Sequence, residues 1–181
     1  MKAALVVILL ATRAFAQSQS PIAAAEAACG PKNIKFDVKN GGTDQPQPEP
    51  GKALVYVIED LGQCPDCMGQ SKAIFTDVDH ALTKVGMDGT WVGANQGNSY
   101  FFFAANPGEH HLCINWQSRF AVRSRAFAMA NFTAEAGKVY YFRARVFPGA
   151  HDYSFDLDVI NSDEGKYLVA TSAFSISQPK K

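Results

Sequence analysis

From residue 52 onward, apolar and polar positions mostly alternate with the period of a β-strand. "ALVYVIED" (53–60) is the exception, a β-branched and aromatic run of the kind buried on both faces. "TKVGM" and "TWVGA" flank Asp88-Gly89, a pair that tolerates positive φ and marks a tight hairpin. "SYFFFAA" (99–105) and "EHHLCINWQ" (109–117) flank Asn106-Pro107-Gly108, where Pro presets φ and Gly accepts a left-handed position. "RAFAMANFTA" (125–134) and "KVYYFRARVF" (138–147) flank Ala136-Gly137. In "YSFDLDVI" (153–160), Tyr153, Phe155, Leu157 and Val159 share one side. Asn161 and Glu164 have capping-box spacing before "GKYLVATSAF", which predicts a short C-terminal helix. Ile74, Phe75, Val78 and Leu82 fall at helical spacing, so residues 70–82 fit either a short helix or a loop over the sheet. Strands about ten residues apart, joined by Gly-containing turns, make the fold mainly β, an antiparallel sandwich or barrel.

The 181 residues, 47% hydrophobic, suffice for one domain with a sizeable core. Residues 1–16 read as a signal peptide: Lys2 is the positive start, Ala3 to Ala11 the apolar run, and Ala14-Phe15-Ala16 an A-x-A cleavage site. The run is shorter than the roughly 20 residues a spanning helix needs, and no later stretch is apolar enough to cross a membrane. No Cys follows the cleavage point, as expected for ordinary signal cleavage rather than a lipid anchor. The chain is therefore expected to be exported, periplasmic or secreted, after cleavage near Ala16. Residues 17–40 form an N-terminal arm, 41–51 ("GGTDQPQPEPG") a polar linker, 52–175 the sandwich domain and 176–181 a tail.

Without Lys2 and Arg13, 15 basic residues face 17 acidic ones, a net charge of −2. That balance singles out no partner class and no nucleic acid. Its distribution is uneven. The five arginines of the mature chain, Arg119, Arg123, Arg125, Arg143 and Arg145, all lie between 119 and 145, while 59–88 is mostly acidic. A basic strand surface suits an anionic glycan or lipid head group, with an envelope protein the other partner considered. The plainer reading is a solvated sheet face balanced by acidic loops.

The run "VGMDGTWVGANQGNSYFFFAANPGEHHLCINWQS" followed by "FTAEAGKVYYFRARV" resembles a bacterial family of unknown function whose members are exported proteins and lipoproteins related to PEGA-type modules. The shared features are the D-G hairpin, the "PG-x-H" turn and the "AGKxYYFR" strand, within residues 51–170. The resemblance implies a small antiparallel β-sandwich, transthyretin-like or PEGA-like, in the bacterial envelope. It carries over no catalytic residue. This chain lacks the lipobox Cys of many relatives.

Cys29, Cys64, Cys67 and Cys113 remain after signal cleavage. In an oxidising setting four cysteines favour disulfides, with three possible pairings. In "EHHLCINW", Leu112, Ile114 and Trp116 form the core side, so Cys113 faces outward with His111, Asn115 and Gln117. The arm bearing Cys29 is free to lie across that outer face. Loop-closure entropy favours Cys29–Cys113, roughly 4 to 5 kcal/mol against roughly 2 for a bridge within Cys64–Cys67. The expected pairing is therefore Cys29–Cys113 with Cys64–Cys67.

"LVYVI" before Cys64-Pro65-Asp66-Cys67 also has the order of elements around a thiol-disulfide exchange site. Against that reading, no aromatic precedes Cys64, and hairpins rather than alternating βα units follow. Cys64, Cys67, His111 and Cys113 would make a Cys3His zinc set if they converged, but export favours oxidation over thiolate ligation. His110 and His111 face opposite ways on a strand, and His80 and His151 read as surface residues. "NFT" at 131–133 matches a glycosylation sequon, taken as coincidental. Tyr100, Phe101, Phe102 and Phe103 put aromatics on both faces of one strand, pointing to burial between layers more than to a ligand platform. No nucleophile elbow or phosphate-binding loop occurs. The sequence thus points to a non-enzymatic binding or structural module without cofactor or metal, the oxidoreductase and zinc readings standing as alternatives.

Overall fold

Alternating apolar strands must hide one face, and here two stacked sheets hide each other's. The computed structural model describes residues 21–42, 46–60, 82–117, 127–148 and 153–181. They hold helix α1 (Pro21–Cys29), then strands β1 (Phe36–Asn40), β2 (Ala53–Asp60), β3 (Leu82–Met87), β4 (Thr90–Gln96) and β5 (Ser99–Ala105). Next come β6 (Gly108–Trp116), β7 (Phe127–Ala134), β8 (Val139–Pro148) and β9 (Tyr153–Ile160), helix α2 (Ser162–Thr171) and β10 (Ala173–Pro179). A six-stranded sheet runs β1-β10-β5-β2-β8-β9, and a four-stranded sheet runs β4-β3-β6-β7. The fold is a mainly β sandwich.

β2 is central to the larger sheet and buried on both faces, which explains its unbroken apolar run. Val55 and Val57, with Phe101 and Phe142 from its neighbours, meet Val85, Leu112 and Ile114 of the smaller sheet. On the opposite face Leu54, Tyr56 and Ile58 join Tyr100, Tyr141 and Val169 under α2. Tyr100 to Phe103 divide between these two clusters, so burial between layers accounts for them. The cap of α2 forms as its spacing predicts, Asn161 Oδ1 accepting from the backbone N–H groups of Asp163 and Glu164, both at 3.0 Å.

The mainly β sandwich read from the sequence is what the chain forms, most of its strand pairs antiparallel; β2 pairs with β8, and β10 with β5, in parallel. Asp88-Gly89 does close a hairpin, with φ of 51° and 79°. The turns at 106–108 and 135–138, however, carry the chain from one sheet to the other, because β5 and β8 belong to the larger sheet and β6 and β7 to the smaller. Alternation specifies a strand but not its partner. The sheet also reaches further than the domain boundaries read from sequence: β1 in the arm pairs antiparallel with β10, which extends into the tail. Gln117 holds β1 in place with two hydrogen bonds of 2.7 Å, to the N–H and the carbonyl of Phe36. Val159, on the same side of edge strand β9 as the buried Phe155 and Leu157, is 63% exposed.

α1 lies on the outer face of the smaller sheet, locked by the Cys29–Cys113 disulfide, with Cα atoms 5.7 Å apart and both residues fully buried. The cross-strand partner of Cys113 is Gly86, where any Cβ would collide with the carbonyl of Cys29. Only a residue without a side chain lets the helix end settle there.

A carboxyl group sits inside the sandwich. Glu59 is fully buried, and its Oε1 accepts from the Thr83 hydroxyl at 2.9 Å. Glu59 Oε2 and Asn95 Oδ1, both buried, have no donor. Burial raises the Glu59 carboxyl from 4.5 to about 8, the Thr83 bond only partly opposing it. Folding therefore favours the protonated acid.

Two outcomes are expected. Removing the bridge in Cys113→Ser frees a loop of sequence separation 84, costing about 4 to 5 kcal/mol of unfolding free energy by urea titration; an unchanged midpoint would show that α1 adds nothing to stability. Because the folded pKa of Glu59 lies above its unfolded one, stability should fall as pH rises from 4.5 to about 8. Glu59→Gln should flatten that fall in melting temperature, and an unaltered profile would contradict the assignment.

Candidate functional site

The outer face of the smaller sheet gathers the polar side chains that the fold does not use. Cross-strand register sets Glu109 beside Thr133 and His111 beside Asn131 on β6 and β7. Alternation puts all four on the side of Cys113. With Asp88, His110 and Phe132 they line a groove of about 510 Å³. Among the described residues, the side chains of Glu109, His111, Asn131 and Thr133 have no hydrogen-bond partner within the protein.

Asp88, at the tip of the β3–β4 hairpin, is fully engaged. Its Oδ1 accepts from the backbone N–H of His111 at 2.8 Å, and its Oδ2 lies 2.7 Å from His110 Nδ1. His110 Nε2 lies 2.7 Å from the carbonyl oxygen of Asn106. A ring with acceptors at both nitrogens satisfies both only as the imidazolium, the form these contacts favour. Burial alone would lower the His110 pKa; the bonds to Asp88 and Asn106 outweigh it and raise the value. Burial alone would likewise raise Asp88, but the His111 N–H and the His110 ring hold it below its usual range. The pair resembles the base and orienting acid of a hydrolase, yet no ring nitrogen is free to take a proton. It braces the hairpin.

Of the residues singled out from sequence, Cys29 and Cys113 are joined. Cys64, Cys67, His80, Arg119, Arg123, Arg125 and His151, with the signal segment and residues 70–81, lie outside the described residues. The zinc set is corrected, since the Cys113 sulfur is bonded to Cys29 and offers no thiolate.

Of the five arginines, Arg143 and Arg145 are described, and both are ion-paired. Arg143 donates to Asp60, from Nε at 2.7 Å and also from Nη2, and from Nη1 to Glu164 at 2.9 Å. Arg145 meets Asp158 at 2.6 Å and Asp156 at 3.6 Å. These carboxylates balance the charge of both guanidiniums. The Asp88–His110 pair was not legible, because it needs the pairing of β3 with β6; only the hairpin position of Asp88 was.

No known family, curated protein or solved structure matches the chain. Among the described residues no helix is long and apolar enough to cross a membrane.

The folded pKa of His110 lies above the unfolded 6.5. Its contribution to stability is therefore complete below pH 6.5 and fades as pH climbs through the folded value. Asp88→Asn should lower the His110 pKa read by NMR titration, and its stability deficit should narrow toward alkaline pH. A deficit that widens there would refute the double-donor assignment.

Proposed function

We propose that the chain is an exported, non-enzymatic binding module of the bacterial envelope, PEGA-like in kind, whose outer four-stranded face holds a neutral, hydroxyl-rich ligand of the glycan class. The observation that carries this reading is the square of unengaged side chains at Glu109, His111, Asn131 and Thr133. Amide, hydroxyl, imidazole and carboxylate together offer both donors and acceptors, the complement a sugar's hydroxyls require. The groove falls within the size range of small-ligand sites, roughly 300–1,000 Å³. Charge supports a neutral ligand, since the imidazolium of His110 is balanced by Asp88 and Glu109 remains to repel an anion. The capped His110 ring supports binding over hydrolysis.

The test is retention of the full exported chain on insoluble neutral polysaccharide and on peptidoglycan sacculi. Asn131→Ala with Thr133→Ala, both exposed and outside the core, should weaken retention by about tenfold, the worth of one or two hydrogen bonds. Retention should change little with salt, because few charges take part. Absence of retention on both materials, or retention untouched by the double substitution, would refute the glycan reading.

A further inference from the structure

A second cavity opens on the same sheet face, on the other side of the Cys29–Cys113 bridge, and at its wall is a buried cation. Lys84 is only 6% exposed. Its Nζ donates to the carbonyl of Ile34 at 3.2 Å and lies 4.0 Å from the centre of the Trp91 ring. Neither partner carries a negative charge. An ammonium has three N–H donors, and a buried charge without a counter-ion is costly. Burial, and then the positive charge of Lys35, lowers the pKa of Lys84, as expected of a cation lacking its anion.

The cavity has a volume of about 290 Å³, and Trp91, Asn115 and Phe127 line it beside Lys84. Trp91 is fixed, its indole N–H donating to Pro31 at 2.8 Å and its ring lying against Gly30, where a Cβ would come within 2.7 Å. Asn115 is the cross-strand partner of Lys84, and its amide has no partner among the described residues. The one carboxylate on the rim, Glu26, is taken up by Lys32 at 2.8 Å.

We propose that this cavity binds a small organic monocarboxylate, its oxygens meeting Lys84 Nζ and the Asn115 amide and its carbon skeleton lying against Trp91 and Phe127. Lys32, the other ammonium in the lining, is paired with Glu26, so Lys84 and the Asn115 amide are left to match one carboxylate; a phosphate would call for more donors, usually from arginine. The site is independent of the glycan groove, so either reading stands if the other fails.

The experiment titrates the ¹⁵N-labelled mature chain with acetate, benzoate and inorganic phosphate at constant ionic strength. It follows the Trp91 indole N–H, assigned with Trp91→Phe. Acetate and benzoate should shift the signal saturably, benzoate more tightly and phosphate more weakly than either. Lys84→Met keeps the aliphatic stem and removes the buried charge, so it should fold at least as stably and lose the response. Asn115→Asp sets a negative charge against the ligand and should weaken binding at least about tenfold; it decides the matter should Lys84→Met fail to fold. No saturable shift, phosphate binding more tightly than benzoate, or a response surviving in Lys84→Met or Asn115→Asp would overturn the proposal.

Discussion

The covalent tie between α1 and β6 is the constraint on which the outer surface depends. A helix of nine residues has too few turns to hold itself together in water, and its run of alanines offers little side-chain area with which to grip a sheet. The bond from Cys29 to Cys113 supplies the grip, and Gly86 supplies the room. Once seated, the helix end divides the outer face of the smaller sheet. Glu109, His111, Asn131 and Thr133 fall to one side of the bridge and Lys84, Trp91 and Asn115 to the other. The seated arm supplies part of the wall of the second hollow, through Glu26 and Gly30. Both sulfurs are fully buried, which makes this bond architecture rather than an exchange site open to other thiols.

Charge is managed differently at each depth. On the larger sheet, Arg143 and Arg145 are surrounded by carboxylates from β2, β9 and α2, partly exposed to water. Such pairs fix the helix and the edge strand more than they add stability. On β3 two adjacent residues lead to opposite sides. Thr83 turns inward and meets the acid of Glu59, and Lys84 turns outward beneath Trp91. The strand itself therefore separates a buried acid from a buried ammonium. The acid meets its cost by keeping a proton, whereas the ammonium borrows the ring of Trp91 and one carbonyl.

What the sequence revealed was local. The outward direction of Cys113 follows from its place between Leu112 and Ile114, and one period-two argument was enough to select the correct disulfide partner. Asn161 and Glu164 announced α2, although Glu164 spends its carboxylate on Arg143 rather than closing the capping box. What stayed hidden was non-local. Nothing in "AGKVYYFR" says that β8 will run parallel to β2, because its alternation fits either neighbour direction. Arginines clustered in sequence looked like a basic surface; the countercharges of Arg143 and Arg145, namely Asp60, Asp156, Asp158 and Glu164, come from elements that only the fold brings near. The unused square on β6 and β7 was invisible for the same reason, since "EHH" and "NFT" become neighbours only through strand register.

The crossings between sheets explain why the usable surface lies where it does. Chains that zigzag within one sheet leave its two edges as the natural places for variation. Here β5 passes to β6 and β7 to β8 across the sandwich, so both connections close the same end of the core. Asn106 in the first connection accepts from His110 and thereby stiffens the start of β6. The hydroxyl oxygen of Tyr140 on β8 accepts from the N–H of Glu135 at 3.1 Å and stiffens the second connection. The end of β6 and β7 that carries Glu109 and Thr133 is thus braced from both directions. A rigid platform loses less entropy when a ligand settles on it, so paired strands suit the ligand face proposed above better than loops would.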